Sequence, residues 1–430
     1  MHTVQVHKTT KAGIPNLCLK LVAKLIAIPI VILVRLLRPI VVIRFGMLRS
    51  ENIGHFAANT ELYLCERDIG LHGRRVYDFF SHRMPICNQQ LAKMWARLLH
   101  ISPVYRYFDR ASRRLPGWKK HWIPVFARGD VDVKNLIIST KTHLNFTPEE
   151  EKIGLQKLCD LGVKLPAEFV CFYARDSVYS SNTALKSKKP LKRHDYRNSS
   201  IDNYIPAMQE VAKRNYYALR IGAMVQKPVS MDNEKIIDYA TIARDEFMDI
   251  FLCAKCKFFV GSTGGINAVP RIFRRPMVYV NFVPLRVMHL FACAQKSLIL
   301  PKKLWLRKEK RFLTFNEALK TGATKFWLSQ QYEQAGLDVV ENDADEILAA
   351  AIEMDERLND SWVGTSEDIQ LQQRFWEIFV PDNTQRPNLE TSAEYLYENR
   401  HWTEYEDEAA GKPNVNISSY FLRQNRYLLD

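Results

Sequence analysis

Residues 258–273 read FFVGSTGGINAVPRIF. Phe258–Val260 is a short apolar run of strand type, and Ile266–Phe273 has helical spacing. Between them stands Gly261-Ser262-Thr263-Gly264-Gly265. Glycines there let the backbone turn tightly and come close to a ligand. Two hydroxyls and the free N–H groups at a helix start can then hold a phosphate. The stretch is neither a GxGxxG fingerprint nor a P-loop, because the closing Lys-Ser/Thr is missing. A plain strand-to-helix turn would use the same glycines.

The same rhythm extends on both sides. FVCFYA at 169–174 reads as a strand, Ile201–Arg214 as a helix, Tyr217–Ile221 as a strand and Arg244–Lys255 as a helix. Met277–Asn281 is a further strand and 342–357 a further helix. Strands alternating with helices at this spacing imply right-handed crossovers and a parallel sheet. Nearer the start, Pro39 precedes a buried strand at 40–45, and helices are expected near 55–66, 86–100 and 147–160. The last opens Thr147-Pro148-Glu149-Glu150, which predicts a capping box. The fold class is therefore α/β, with two α/β domains facing a cleft. They are expected at 39–165 and 166–330, between an amphipathic segment at 1–38 and a helical acidic tail at 331–430 that packs on the body.

The chain has 430 residues, of which 47% are hydrophobic and 25% charged. That composition excludes wholly disordered, collagenous and low-complexity classes. The net charge of +14 is unevenly spread. Residues 331–430 hold 7 basic and 22 acidic side chains, and residues 1–330 hold 54 and 25. A basic body favours anionic partners such as nucleotides and phospholipid headgroups. No nucleic-acid-binding signature accompanies the charge, so nucleic acid is not an expected partner. The eight cysteines are scattered. Cys253 and Cys256 form the only close pair, too few ligands for a zinc site, so neither metal nor cofactor is expected. Reduced thiols fit a cytoplasmic protein.

Residues 14–43 are the most apolar stretch. Only ten uncharged residues separate Lys24 from Arg35, too few for a spanning helix. On a helical projection Lys20, Lys24, Arg35 and Arg38 share one narrow stripe. That is the layout of an in-plane helix with its cations toward anionic headgroups, placing the protein on the inner face of the membrane. A core helix with a solvated basic edge gives the same pattern.

Polar residues gather at the expected strand ends. Arg175 and Asp176 follow FVCFYA, and a guanidinium fork suits a diphosphate. Arg197 lies downstream in HDYRNSS, after a loop crowded with Lys186, Lys188, Lys189, Lys192 and Arg193. Arg220 ends the next strand, and Asn281 ends the strand after the glycine turn. In the first domain His55 lies near a helix start, where a neutral imidazole can act as a general base, with Glu61 six residues on. Glu333 and Glu341 are expected to be a surface residue and a helix-preceding residue, not a donor-binding pair.

The segments RFGMLRSENIGHFAANTELYL, ARDSVY, DYRNSSIDNYIPAM, RIGA, FFVGSTGGINAVPRIFRRPMVYVN and SLILPKKLW occur in one order over about 40–360. In this the chain resembles a bacterial family of glycosyltransferases found among surface-carbohydrate genes. The resemblance implies a GT-B-like architecture, two Rossmann-like domains around a cleft, and transfer of a sugar from a nucleotide-sugar donor to a carbohydrate or lipid-linked acceptor, without a bound metal. By position, Arg175, Ser262, Thr263, Gly264 and Gly265 would hold the donor phosphates, and His55 would be the base on the acceptor side. The competing expectation is a non-catalytic protein on the same scaffold that binds a membrane surface or polyanion.

Overall fold

The computed structural model describes residues 26–73, 75–123, 125, 132, 135–178, 193–288, 297–379 and 415–430. Lys20, Lys24, Tyr179 and the lysine-rich loop at 186–192 lie outside them. A four-stranded parallel sheet comes first. It comprises β1 (Val42–Leu48), β2 (Val76–His82), β3 (His100–Ile101) and β4 (Trp122–Ile123), in the order β3-β2-β1-β4. The second sheet has seven parallel strands, in the order β14-β10-β9-β8-β5-β6-β7. They are β5 (Phe169–Tyr173), β6 (Tyr217–Arg220), β7 (Ile236–Ile237), β8 (Phe259–Gly261), β9 (Met277–Phe282), β10 (Ser297–Pro301) and β14 (Val415–Ile417). An antiparallel trio, β11 (Lys303–Leu306), β12 (Arg311–Phe312) and β13 (Leu337–Val340), completes the strands described.

Local chemistry explains the helices between them. The Pro148–Asp160 helix opens with the expected reciprocal cap, Thr147 accepting from Glu150 N while Glu150 accepts from Thr147 N. Asp245 caps Glu246–Lys255, and Asp343 with Glu346 boxes Ala344–Leu358. β8, β9 and β10 are buried at every position, as parallel strands covered on both faces must be. Glu333 is exposed and Glu341 precedes the Ala344–Leu358 helix, as expected.

Three features extend or correct the sequence reading. One apolar core runs continuously from Leu48 in the first sheet to Leu429, so the two α/β halves share their packing. Residues 415–417, inside the acidic tail, form an edge strand of the large sheet. Residues 26–36 are helical, yet Arg35 faces the protein. Its guanidinium donates to Pro116 O, to Ser112 O at 3.1 Å and to Leu115 O at 3.4 Å. Arg35 therefore belongs to a half-buried seam with the 112–116 turn and does not point to headgroups.

The two halves meet most tightly where the Ile53–Asp68 helix begins. A Cβ on Gly54 would lie 3.0 Å from Gly265 Cα and 3.2 Å from its carbonyl oxygen. Both are backbone atoms with little freedom to retreat. Gly54→Val is therefore expected to lower unfolding stability by about 1–3 kcal/mol, read by urea denaturation. Gly265→Ala first meets the Ile53 Cγ2 methyl at 3.2 Å and then Gly54 N at 3.3 Å, both looser approaches, and its cost is expected to be smaller. Equal cost at the two positions would contradict a backbone-limited contact.

Candidate functional site

From β5 the large sheet grows through β6 to β7, then resumes at β8 and grows the other way through β9 and β10 to β14. The switch of direction lies between β5 and β8. In open parallel sheets ligands bind beyond the carboxyl ends of the strands at such a point. Arg175 follows β5, Ser262–Gly265 follows β8, and Lys302 follows β10.

Three cations converge there on neutral partners. Arg175 Nη1 donates to His194 O at 2.9 Å and to Asn198 Oδ1 at 2.5 Å. Arg197 Nη2 donates to Thr263 O at 3.1 Å, and Lys302 Nζ donates to Asn198 O at 2.6 Å. Every acceptor is a carbonyl, and among the described residues none of the three cations has a carboxylate within ion-pair range. Burial, and then the Arg197 charge, lowers the pKa of Arg175. Burial brings Lys302 down to about 8, with Glu341 opposing and Arg175 adding to the fall. Burial and the Arg197 charge bring His194 down to about 4. All three groups lie in a poorly hydrated place, and a neighbouring guanidinium charge adds to each fall.

Beside the cations opens a pocket of about 540 Å³, its mouth included, lined by Arg197, Thr263, Gly264, Asn267, Phe282 and Trp327 among others. Two lining residues carry buried atoms without a hydrogen-bond partner, Arg197 Nε and Asn267 Oδ1. Unsatisfied buried polar atoms beside a cavity call for a ligand or water. Charge, hydrogen-bonding capacity and an aromatic wall together suit an anion joined to a less polar group.

The structure brings Arg197, Thr263 and Gly264 to the pocket with Arg175 close behind, packs Gly265 against Gly54, and sets other expected residues to different work. Ser262 is fully buried, its Oγ accepting from Arg175 N at 2.8 Å, so it locks the two strand ends together and does not face the pocket. Asp176 accepts from Val178 N and Gln226 N, which organises loops. Arg220 is 2% exposed and is held by Lys227 O at 2.6 Å and Asp238 at 3.2 Å, which removes it from phosphate binding. Asn281, also buried, exchanges hydrogen bonds with Asn342 and so joins β9 to the approach of the Ala344–Leu358 helix. His55 is half-buried at the third position of its helix and does not line the pocket. Lys302, Asn198, Asn267 and Trp327 were missed. The order of SLILPKKLW after a strand was the only available hint for Lys302.

Glu61 requires a fuller correction. It is fully buried, accepts from Arg274 Nη1 at 2.5 Å and lies 3.0 Å from His143 Nδ1. His143 Nε2 lies 3.1 Å from Asp68, and Cys65 accepts from Thr140 at 3.0 Å. Glu61, Cys65 and His143 have ligand atoms close enough for a metal, but the Arg274 guanidinium already occupies the acid's side. The cluster is a charge-balanced tie between the Ile53–Asp68 helix and the Arg274 turn, and it leaves Glu61 no catalytic freedom. Burial pulls the His143 pKa down, but hydrogen bonds to Cys65 and Glu61 and the Glu61 charge more than offset this, raising it to about 10.

No family model and no curated protein matches this chain. Several solved structures align with it. A glycosyl transferase of family 9 from Veillonella parvula aligns at 10% identity over 75% of this chain and 98% of that one, with a TM-score of 0.43. The ADP-heptose lipopolysaccharide heptosyltransferase II of E. coli aligns at 11% identity over 60% and 90%, with a TM-score of 0.36. An iron-containing dodecameric glycosyltransferase from enterotoxigenic E. coli aligns at 11% identity over 56% and 59%, with a TM-score of 0.30.

Two outcomes follow. The folded His143 pKa is raised above its unfolded value of 6.5. Its pairing therefore stabilises the fold fully below about 6.5 and is lost as pH rises through about 10. The wild-type Tm is expected to fall over that window more steeply than that of His143→Gln; parallel curves would refute the assignment. Arg197→Met is expected to weaken pyrophosphate binding about tenfold or more by calorimetry, the loss expected for charge-assisted hydrogen bonds. Its Tm is expected to stay level or rise, because repulsion with Arg175 is relieved. A lower Tm with unchanged binding would mark Arg197 as structural.

Proposed function

We propose that this chain is a glycosyltransferase. It takes a sugar from a nucleotide-sugar donor and transfers it to a carbohydrate or lipid-linked acceptor of the surface-polysaccharide or glycolipid class. The observation that carries the reading is the convergence of Arg175, Arg197 and Lys302, without carboxylate partners, at the switch point of the large sheet. A site that concentrates positive charge at rest is built for a polyanion.

A nucleoside diphosphate is the leaving group such a site stabilises best. As the bond from the anomeric carbon to the phosphate oxygen breaks, negative charge grows on the departing diphosphate. Fixed cations stabilise that charge without reorganising. Arg197 faces the pocket and meets the phosphates directly. Arg175 stands behind it, holding the 194–198 turn, and Lys302 adds charge from below. Thr263 and Gly264 bring backbone close to the phosphates, while Trp327 and Phe282 supply the wall for the less charged part of the donor. These cations provide the neutralisation that a metal supplies elsewhere, so the transfer is read as metal-independent. The donor belongs to the large-sheet half and the acceptor to the half containing β1. The base that activates the acceptor hydroxyl is left unassigned.

The reading is tested by donor binding and slow hydrolysis across UDP-, GDP-, ADP-, dTDP- and CMP-sugars, with and without chelator. A diphosphate donor is expected to bind selectively over the CMP-sugar, whose single phosphate offers fewer contacts. Chelator is expected to have no effect, and Arg197→Met to lose about tenfold or more in affinity. If no nucleotide-sugar binds, or if wild type and variant behave alike, the transferase reading fails and a non-catalytic polyanion-binding scaffold takes its place.

A further inference from the structure

Residues 26–40 carry seven of the twenty large hydrophobic side chains exposed on the described protein. The helix at 26–36 buries one side only. Ala27 and Val31 pack against Ala111, Tyr107, Phe108 and Leu115. The opposite side leaves Leu33 57% exposed and Leu36 71% exposed, and Ile40, just beyond, 69% exposed. Ile26, Ile32 and Leu37 extend the same face. Contiguous apolar surface of this kind marks an interaction site.

The surroundings identify the occupant. Arg35 docks the helix on the turn at 112–116. The end of the Tyr105–Ser112 helix, that turn and the one-turn helix Trp118–His121 present Arg110, Arg113, Arg114, Lys119 and Lys120, all exposed, with Arg38 on the N-terminal side. Residues 26–50 contain no acidic residue, and 104–121 contain only Asp109, which is buried and bonded to Arg113 at 2.9 Å. Trp118 and Trp122 lie 5.3 Å apart beneath Arg113. A second protein surface would have to bury this one-signed rim against matching acids. An anionic bilayer meets it with headgroups while acyl chains cover the apolar face, and tryptophan is favoured at that boundary. Among the described residues no helix is long and apolar enough to cross a membrane.

We infer that the apolar face of 26–40, rimmed by the basic residues of 110–120, seats the protein on an anionic phospholipid leaflet. The apolar face enters the interface, while Arg35 stays bound to the protein. This inference is independent of the donor site and can fail without it.

The test is flotation of the full chain with vesicles of phosphatidylcholine alone or with about a third phosphatidylglycerol. Binding is expected on the mixed vesicles only. Ile32→Asp with Leu36→Asp, both at exposed positions, is expected to abolish it. Lys119→Glu with Lys120→Glu is expected to weaken it about tenfold or more, since each surface cation contributes near the membrane. Nucleotide-sugar binding of each variant in solution is measured alongside and is expected to match wild type. Equal flotation of wild type and the aspartate pair overturns the inference. So does a dimer, seen by light scattering, that the aspartate pair dissolves while wild type ignores vesicles, because the face would then belong to a second copy.

Discussion

Two guanidinium groups and an ammonium group sit together at the ends of parallel strands with only carbonyls to receive their protons. Burial first, and then a neighbouring guanidinium charge, lowers the pKa of Arg175 and of Lys302, with Glu341 opposing the fall at Lys302. The arrangement persists because the surrounding sheet is over-determined. β8, β9 and β10 are buried throughout, and Ser262 ties the end of β8 to the end of β5. The asparagine exchange of Asn281 with Asn342 fixes the end of β9 in the same way. Stability gained in the sheet offsets instability held at its edge, a familiar division between scaffold and site.

Much of that scaffold was legible beforehand. Alternating apolar runs and helices imposed a parallel sheet, and Thr147 with Glu150 announced a helix start. Arg175, Arg197 and the glycine turn could be picked out because each follows a strand or opens a helix, positions that local pattern reveals. Lys302 could not be. In PKKLW a lysine after a proline reads as a solvated turn, and only the neighbouring strands show it to be buried. The edge strand at 415–417 escaped for a similar reason. Three residues in an acidic segment have no period of their own, and pairing with β10 gives them their form.

The misplaced residues share one cause. Glu61, Arg220 and Asn281 were read as chemical because each is polar and near a strand end or helix start. Sequence pattern gives a residue's place along an element, but not which way its side chain points once a second layer covers it. Glu61 faces the other half of the molecule, Arg220 turns back to Asp238, and Asn281 turns to a helix approach. The cationic stripe on the N-terminal segment failed in the same manner. Helical periodicity grouped Arg35 with Lys20, Lys24 and Arg38, the first two outside the described residues, but which way Arg35 turned was a tertiary fact.

The contrast between the two polar clusters at the seam decides how each is used. Around Glu61 the signs alternate: the Glu61 and Asp68 carboxylates stand against Arg274 and His143. Every charge there has its partner in the folded chain, so a ligand would have to break a bond to make one. Around Arg175 positive charge dominates: Asp195 and Glu341 stand nearby, but the hydrogen-bond partners of Arg175, Arg197 and Lys302 are carbonyl dipoles that leave the net charge standing. A ligand carrying negative charge gains there without displacing any ion pair. The same residue types a short distance apart thus serve opposite ends. The balanced cluster binds one half of the protein to the other, and the unbalanced one holds a place for an anion that the chain does not itself supply.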